Sequence, residues 1–337
     1  IQLEEVQTRG GVFDRLSVEG YSASQRVGEP QLPMLSKIIA VPVGADLSFE
    51  VTDRQTRRLD GSESRLQHRL LPAQESVSKS SDPTTLTFAY NDAAYAVDEL
   101  RGGELFRLEE IGFMRGVRLF QFYYEPILYN PVSGELEICT SASIRVNFLN
   151  PDLAATEELL ARTASYEYEA LYEKTIFNWD ASTRSSLVRY PTKMLILCPP
   201  SYTDELQPFV DWKRLQGYTV IVTTVGTGGT VANSTTAIKT YMQGLWDTAT
   251  SQDPAPTYLL IVGDTSTSGD NIIANTGVTS SHVTDLTYVR LNGTDYVPEM
   301  YYGRFSVSSA TELTNIVSKT VTFEKTLMPD LSYLGKA

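Results

Sequence analysis

Lys193–Val225 reads KMLILCPPSYTDELQPFVDWKRLQGYTVIVTTV, and its three parts decide the fold. Lys193–Cys198 is an unbroken apolar run, as expected of a strand buried on both faces. Asp204–Gly217 has the pattern of an amphipathic helix, with Leu206, Phe209, Val210 and Trp212 toward a sheet and Gly217 as its stop. Tyr218–Val225 is a second strand. The same alternation continues outward: a helix over Ser234–Ala249, a strand over Thr257–Asp264 and a helix over Thr311–Lys325. Strands alternating with helices predict a parallel sheet covered by helices.

Upstream the pattern is β. Lys37–Gly44, Leu47–Asp53 and Thr85–Tyr90 are short runs rich in β-branched or aromatic residues and bounded by Gly, Pro, Asp and Ser. Val117–Pro131 alternates around a turn, and Gly134–Leu149 predicts two more strands. In YNPVSG, Tyr129–Gly134, Asn130 and Pro131 start a hairpin-type turn and Gly134 supplies a permissive φ. Short strands at this spacing predict a sandwich or barrel. Asp152–Lys174 reads as helix. Asn178–Arg189 is a polar, Ser-rich linker in which Arg184 and Arg189 would be open to a trypsin-like protease. The expected organisation is a β-sandwich over 1–150, a helix and processing linker over 151–189, and an α/β part over 190–337.

At 337 residues the chain has room for two ordinary domains, and 42% hydrophobic content is that of a globular protein. A net charge of −13 argues against nucleic acid, which needs clustered Lys and Arg, and tolerates divalent cations. Cys139 and Cys198 are the only cysteines and lie in different halves, so no disulfide framework is expected. No run of about 18 apolar residues predicts a membrane span. No signal peptide is visible, and a start at Ile1 suits a trimmed mature chain as well as a cytoplasmic one.

Open parallel sheets bind ligands beyond the carboxyl ends of their strands. Three features are expected there: Cys198-Pro199-Pro200, Gly263-Asp264, and the turn Asn292–Glu299. Asp264 is either a cap or turn former or a ligand holder. Asn292, Asp295, Glu299 and the carbonyl of Val297 offer the oxygen donors a hard cation such as calcium takes, although the spacing is not that of an EF-hand. The other reading is a polar turn. Cys198 and His282 could be weighed as a nucleophile–base pair, but a Cys that ends an apolar strand is more commonly a small buried hydrophobe. His68 reads as a surface residue. Gly226–Gly229 lacks the Lys of a phosphate loop, and no G-x-S-x-G or H-E-x-x-H is present.

Leu260–Asp264 (LIVGD), Val283–Leu286 (VTDL), Asp295–Met300 (DYVPEM), Gly303–Ser306 (GRFS), Thr311–Ile316 (TELTNI) and Phe323–Lys336 resemble the amino-terminal part of a gingipain catalytic domain. Phe209–Tyr218 extends this likeness, which covers roughly Tyr190 to Ala337 and is strongest to the Lys-specific branch. Gly28–Ala45, the RGVR of Arg115–Arg118 and Pro126–Ile138 resemble the gingipain-type propeptide. The family consists of secreted cysteine endopeptidases with a caspase-like fold.

The resemblance implies a β-sandwich prodomain that assists folding and enforces latency by presenting a basic residue to the specificity pocket. Arg101, in the Gly-flanked loop ELRGGE, is the candidate, with Arg107 and Arg115 as rivals; a solvated charge is the alternative for each. The resemblance also places Asp264, Asp295, Glu299 and the Val297 carbonyl on calcium ligands of the Lys-specific branch. Asn292 stands where that branch has an Asp, and NGTD holds one extra residue. The family's acid, His and Cys nucleophile would all follow Ala337, so this chain alone is expected to be inert and to need the remaining carboxyl-terminal part as partner. An adhesion or binding module braced by calcium is the reading from a different class, and a sortase-like member of the same family is a third.

Overall fold

The computed structural model describes residues 1–79, 82, 85–180, 190–265, 270–276 and 282–325. Two compact units emerge. One comprises Ile1–Glu110, Phe120–Pro151 and Thr175–Phe177, the other Ile111–Leu119, Asp152–Lys174 and Asn178–Ala337.

The first unit holds β1 (Gln2–Thr8), β2 (Gly11–Ser17), β3 (Ser22–Ala23), β4 (Pro33–Val41), β5 (Asp46–Leu59), the short α1 (Asp92–Tyr95), β8 (Ile127–Tyr129) and β9 (Leu136–Leu149), together with the parts of β6 (Phe106–Met114) and β7 (Val117–Tyr124) outside Ile111–Leu119. β1 and β2 form an antiparallel hairpin. One sheet has the order β3-β4-β7-β6 and another β5-β9-β8. Ile39 and Val41 of β4 and Phe120 of β7 meet Leu47 of β5 and Val146 of β9, so the inner faces of the two sheets interdigitate as in a sandwich. The turn after β8 is held as its sequence predicts. Asn130 Oδ1 accepts from the Val132 and Ser133 amides at 2.9 and 3.1 Å, and Gly134 has φ +75°.

Two sequence expectations fail in this unit. Thr85–Tyr90 is not a strand. The Gln74 side chain does what a neighbouring strand would do, accepting from Ala89 N and donating to Ala89 O, each at 2.9 Å. Gly134–Leu149 yields one long strand, not two. The irregularity falls in the partner, where β5 shifts register between Thr52 and Thr56.

After Ile111–Leu119 the second unit continues with two helices where one was expected, α2 (Leu153–Arg162) and α3 (Tyr166–Thr175). The break falls at Thr163, whose hydroxyl bonds back to Leu159 O at 2.7 Å and to Arg115 O at 3.1 Å. There follow β10 (Lys193–Cys198), α4 (Thr203–Leu215), β11 (Thr219–Thr224), α5 (Thr235–Asp247), β12 (Tyr258–Val262), the small pair β13 (Asn275–Thr276) and β14 (Val283–Thr284), α6 (Leu286–Val289), β15 (Tyr301–Phe305) and α7 (Ala310–Glu324). β11-β10-β12-β15 form one sheet, parallel throughout.

Alternation along β10 shows why its run is wholly apolar. Leu195 and Leu197 pack beneath Ile238, Met242 and Trp246 of α5. Met194, Ile196 and Cys198 face Leu206, Phe209 and Val210 of α4 and Leu313 and Val317 of α7. Both faces are covered, as a parallel sheet requires. On α4 the inward row is Leu206, Phe209, Val210 and Lys213, at the helical spacing of three and four. Trp212 is not in that row. It lies half-buried at the helix flank and donates from Nε1 to Glu324 of α7 at 2.7 Å, while the buried Lys213 bonds the same carboxylate at 2.8 Å. Among the described residues no helix is long and apolar enough to cross a membrane.

Candidate functional sites at the two ends of the parallel sheet

The carboxyl ends of the strands gather Cys198-Pro199, Gly263-Asp264 and Ser306. Gly263 turns the chain at φ +115° directly after β12. The Asp264 carboxylate accepts from Thr265 N at 2.8 Å and from the Ser306 hydroxyl at 2.9 Å, and these bonds hold it below the usual carboxylate range. Its amide donates to Val307 O at 3.0 Å.

Arg304 organises the rim. Its Nη1 donates to the carbonyls of Gly263, Asp264 and Ile272 at 2.9, 3.1 and 2.9 Å. Its Nε and Nη2 form a fork to Asp285 at 2.9 and 2.7 Å. Sequence reasoning quoted both residues within motifs without assigning them this role. The signal available was an Arg and an Asp within two family-like motifs, VTDL and GRFS.

Cys198 supplies no nucleophile here. It is fully buried, its thiol donates to Pro199 O at 3.3 Å, and burial pushes its pKa up to about 12. His282 is exposed, ahead of β14. Cys198 thus plays the small buried hydrophobe of the commoner reading. His68 is a partly exposed residue whose Nε2 lies 3.4 Å from Glu5.

The turn Asn292–Glu299 lies at the other end of the sheet. It immediately precedes β15, and β12 and β15 pair from Tyr258↔Tyr301 to Val262↔Phe305. Asp264 therefore stands beyond the carboxyl end and Glu299 before the amino end. The five residues of β12, at roughly 3.3 Å each, put about 16 Å of strand between them. This corrects the expectation that all three features share the carboxyl rim. It also separates Asp264 from the four residues it was grouped with. Among the described residues, no three His, Cys, Asp or Glu side chains gather at metal-ligand spacing.

Within the turn, Asp295 Oδ1 accepts from Val297 N at 2.8 Å and Oδ2 from Phe113 N at 2.9 Å. Gly293 has φ +70°, and the Arg290 guanidinium lies over the Tyr296 ring at 4.4 Å while Nη2 donates to Thr294 O at 2.6 Å. Glu299 is completely buried, and neither carboxylate oxygen has a hydrogen-bond partner; the buried Nδ2 of Asn292 has none either. Burial raises the Glu299 pKa well above the usual range; the Arg115 backbone amide opposes this, Asp295 adds to it, and the Arg115 and Lys239 charges also oppose it.

The basic candidates separate clearly. Arg101 is exposed, pairs with Glu99, and shares an antiparallel bridge with Tyr129. Arg107 pairs with Glu109 and stacks over Tyr123 at 3.6 Å. Arg115 is neither solvated nor available to a pocket: it is 1% exposed and entirely committed to partners in the second unit. Arg184 and Arg189 lie outside the described residues.

The chain is thus a sandwich of antiparallel sheets followed by a parallel α/β body. The Propeptide_C25 family matches residues 1–177 and peptidase family C25 matches residues 188–335. The chain belongs to the C25 family and carries its propeptide followed by part of its peptidase region. Lys-gingipain HG66 of Porphyromonas gingivalis is 37% identical over 342 positions, which cover 100% of this chain and 19% of that protein. Gingipain R2 of Porphyromonas gingivalis (strain ATCC BAA-308 / W83) is 25% identical over 342 positions, covering 100% of this chain and 44% of its own length. A solved structure described as "Structural insight into zymogenic latency of gingipain K from Porphyromonas gingivalis" shares 37% identity, with 43% of this chain and 80% of that one covered at a TM-score of 0.41. The chain spans about a fifth of the length of the Lys-gingipains it matches.

Proposed function

We propose that this chain is the amino-terminal portion of a secreted bacterial cysteine endopeptidase zymogen. Residues 1–177 would act as the propeptide that aids folding and enforces latency. Residues 190 onward would scaffold a caspase-like active site whose acid, imidazole and thiolate lie in the part of the relatives' length outside this chain. The observation that carries this is the tandem order of the two family matches, combined with a buried Cys198 whose pKa is driven to about 12. β15 is an edge strand among the described residues, so further strands could add there. Arg101, exposed beside two glycines, is the residue offered to the specificity pocket, and Arg184 and Arg189 are the proposed processing points.

Calcium is the cation proposed for the Asn292–Glu299 turn. Glu299, Asp295, Asn292 and the Val297 carbonyl fit it by donor chemistry, since all offer hard oxygens and the Glu299 carboxylate oxygens are buried outside hydrogen-bond geometry. Asp264 does not belong to this set. Bound calcium would supply charge neutralisation for Glu299 and brace the turn, with no part in peptide cleavage.

The test is expression of the complete gene product beside this chain. After propeptide removal the complete product is expected to cleave Lys- or Arg-containing peptides and to lose that activity on thiol alkylation. This chain alone is expected to be inactive. Thiol-dependent cleavage by this chain, or none by the complete product, would sink the proposal.

A further inference from the structure

Arg115 falls in the propeptide match yet belongs to the second unit, and every nitrogen of its guanidinium is engaged there. Nε donates to Thr163 O at 2.8 Å. Nη1 donates to Pro256 O at 2.7 Å and Glu299 O at 3.0 Å. Nη2 donates to Ala255 O at 2.7 Å and the Thr257 hydroxyl at 3.2 Å. Five acceptors match the five N–H donors of a guanidinium, and all are neutral. Burial lowers its pKa, while Tyr172, Tyr168, Glu299 and Glu167 favour its charge.

The backbone around Arg115 is shaped for this insertion. Arg115 itself sits at φ +44° and Gly116 at φ +83°. A Cβ on Gly116 would fall 2.6 Å from Thr163 Oγ1. The Tyr172 hydroxyl donates toward Met114 O and Arg115 O at 3.0 and 3.2 Å. Ala255–Thr257 precede β12 and Glu299 precedes β15, so the acceptors sit at the amino end of the sheet. Ligand sites of open parallel sheets lie at the opposite, carboxyl end.

We propose that these acceptors, four in the peptidase match (Ala255, Pro256, Thr257 and Glu299) and Thr163 within the propeptide match, form a guanidinium-specific cradle whose occupant is the propeptide turn Met114–Val117. The cradle fastens the propeptide to the peptidase region at the amino end of the parallel sheet. Latency and attachment then rest on different residues: the residue offered to the specificity pocket blocks, and Arg115 holds. This rests on the zymogen reading above. A Lys ammonium has three donors and no fork, and cannot satisfy the five acceptors.

The test uses the full chain with one cleavable site introduced between Phe177 and Tyr190. After cutting, wild-type fragments are expected to co-elute on size exclusion at micromolar concentration. Arg115→Lys fragments are expected to separate at concentrations at least about tenfold higher, since a broken buried charged contact weakens association strongly. In the uncut chain, Arg115→Ala is expected to unfold at lower temperature and to be restored by millimolar methylguanidinium but not by methylammonium. If Arg115→Ala does not fold, Thr257→Val, which removes one acceptor, is expected to loosen the cut fragments by a smaller factor. Arg115→Lys fragments held as tightly as wild type, or equal rescue by the two amines, overturns the cradle. Those outcomes leave the zymogen reading intact, which stands or falls on cleavage by the complete product.

Discussion

At the residue scale, one side-chain type took opposite roles according to what surrounds it. Arg101 and Arg115 are both followed by glycine, and the sequence offers no way to rank their exposure. One is exposed and paired with a neighbouring Glu, and the other is 1% exposed among carbonyls. Cys198 was legible because its neighbours are a continuous apolar run, so its burial followed from the strand it ends. Its raised pKa gives a signed prediction. An unfolded thiol ionises near 9.0 and the folded one near about 12. Between those values the unfolded state sheds a proton that the native state keeps, so stability falls as pH rises above about 9. Urea unfolding at pH 8 and pH 10.5 should show this loss, and Cys198→Ala should flatten it. Native protein should resist iodoacetamide at pH 8; rapid alkylation of Cys198 there would contradict its assigned burial.

At the element scale, the α/β half followed its periodicity closely. The strand over Lys193–Cys198 appears with the bounds expected, and the helices after it begin and end within a few residues of their sequence signals. Capping explains the sharp start of α7. The Ser309 hydroxyl accepts from Glu312 N at 3.3 Å, and Glu312 Oε2 accepts from Ser308 N at 2.7 Å. Ser309→Ala is expected to cost about 1 kcal/mol in chemical denaturation, as N-cap losses generally do. A cost below a few tenths would mean α7 is set by its packing on α4 alone. The β half was less legible. Thr85–Tyr90 has strand composition but finds its hydrogen bonds in the Gln74 side chain, and strand composition does not say whether a partner strand is available.

At the scale of the whole molecule, strand direction decided how the candidate cation ligands divide. Asp264 and Glu299 are 35 positions apart in sequence by their numbering, and both flank β-strands. Because β12 and β15 run parallel, a residue that follows one and a residue that precedes the other end up at opposite edges of the sheet. Calcium held by the Asn292–Glu299 turn should raise the unfolding temperature of the full chain, by an amount that grows with the logarithm of its concentration. Glu299→Gln should abolish that increment and Asp264→Asn should leave it in place. Loss of the increment in Asp264→Asn would move the cation to the carboxyl rim.

The sequence by itself determined the order of the layers here: apolar period, helix stops and turn chemistry are local, and each is written in a few neighbouring residues. It determined membership of the C25 family for the same reason, since short ordered motifs survive as strings. Tertiary structure alone decided that Asp264 parts from the turn, that Trp212 leaves the core row to Lys213, and that Arg115 is buried. Each of these depends on groups far apart in the chain. The five acceptors around Arg115 come from Thr163, Ala255–Thr257 and Glu299, and four of them are backbone carbonyls, which no side-chain pattern encodes.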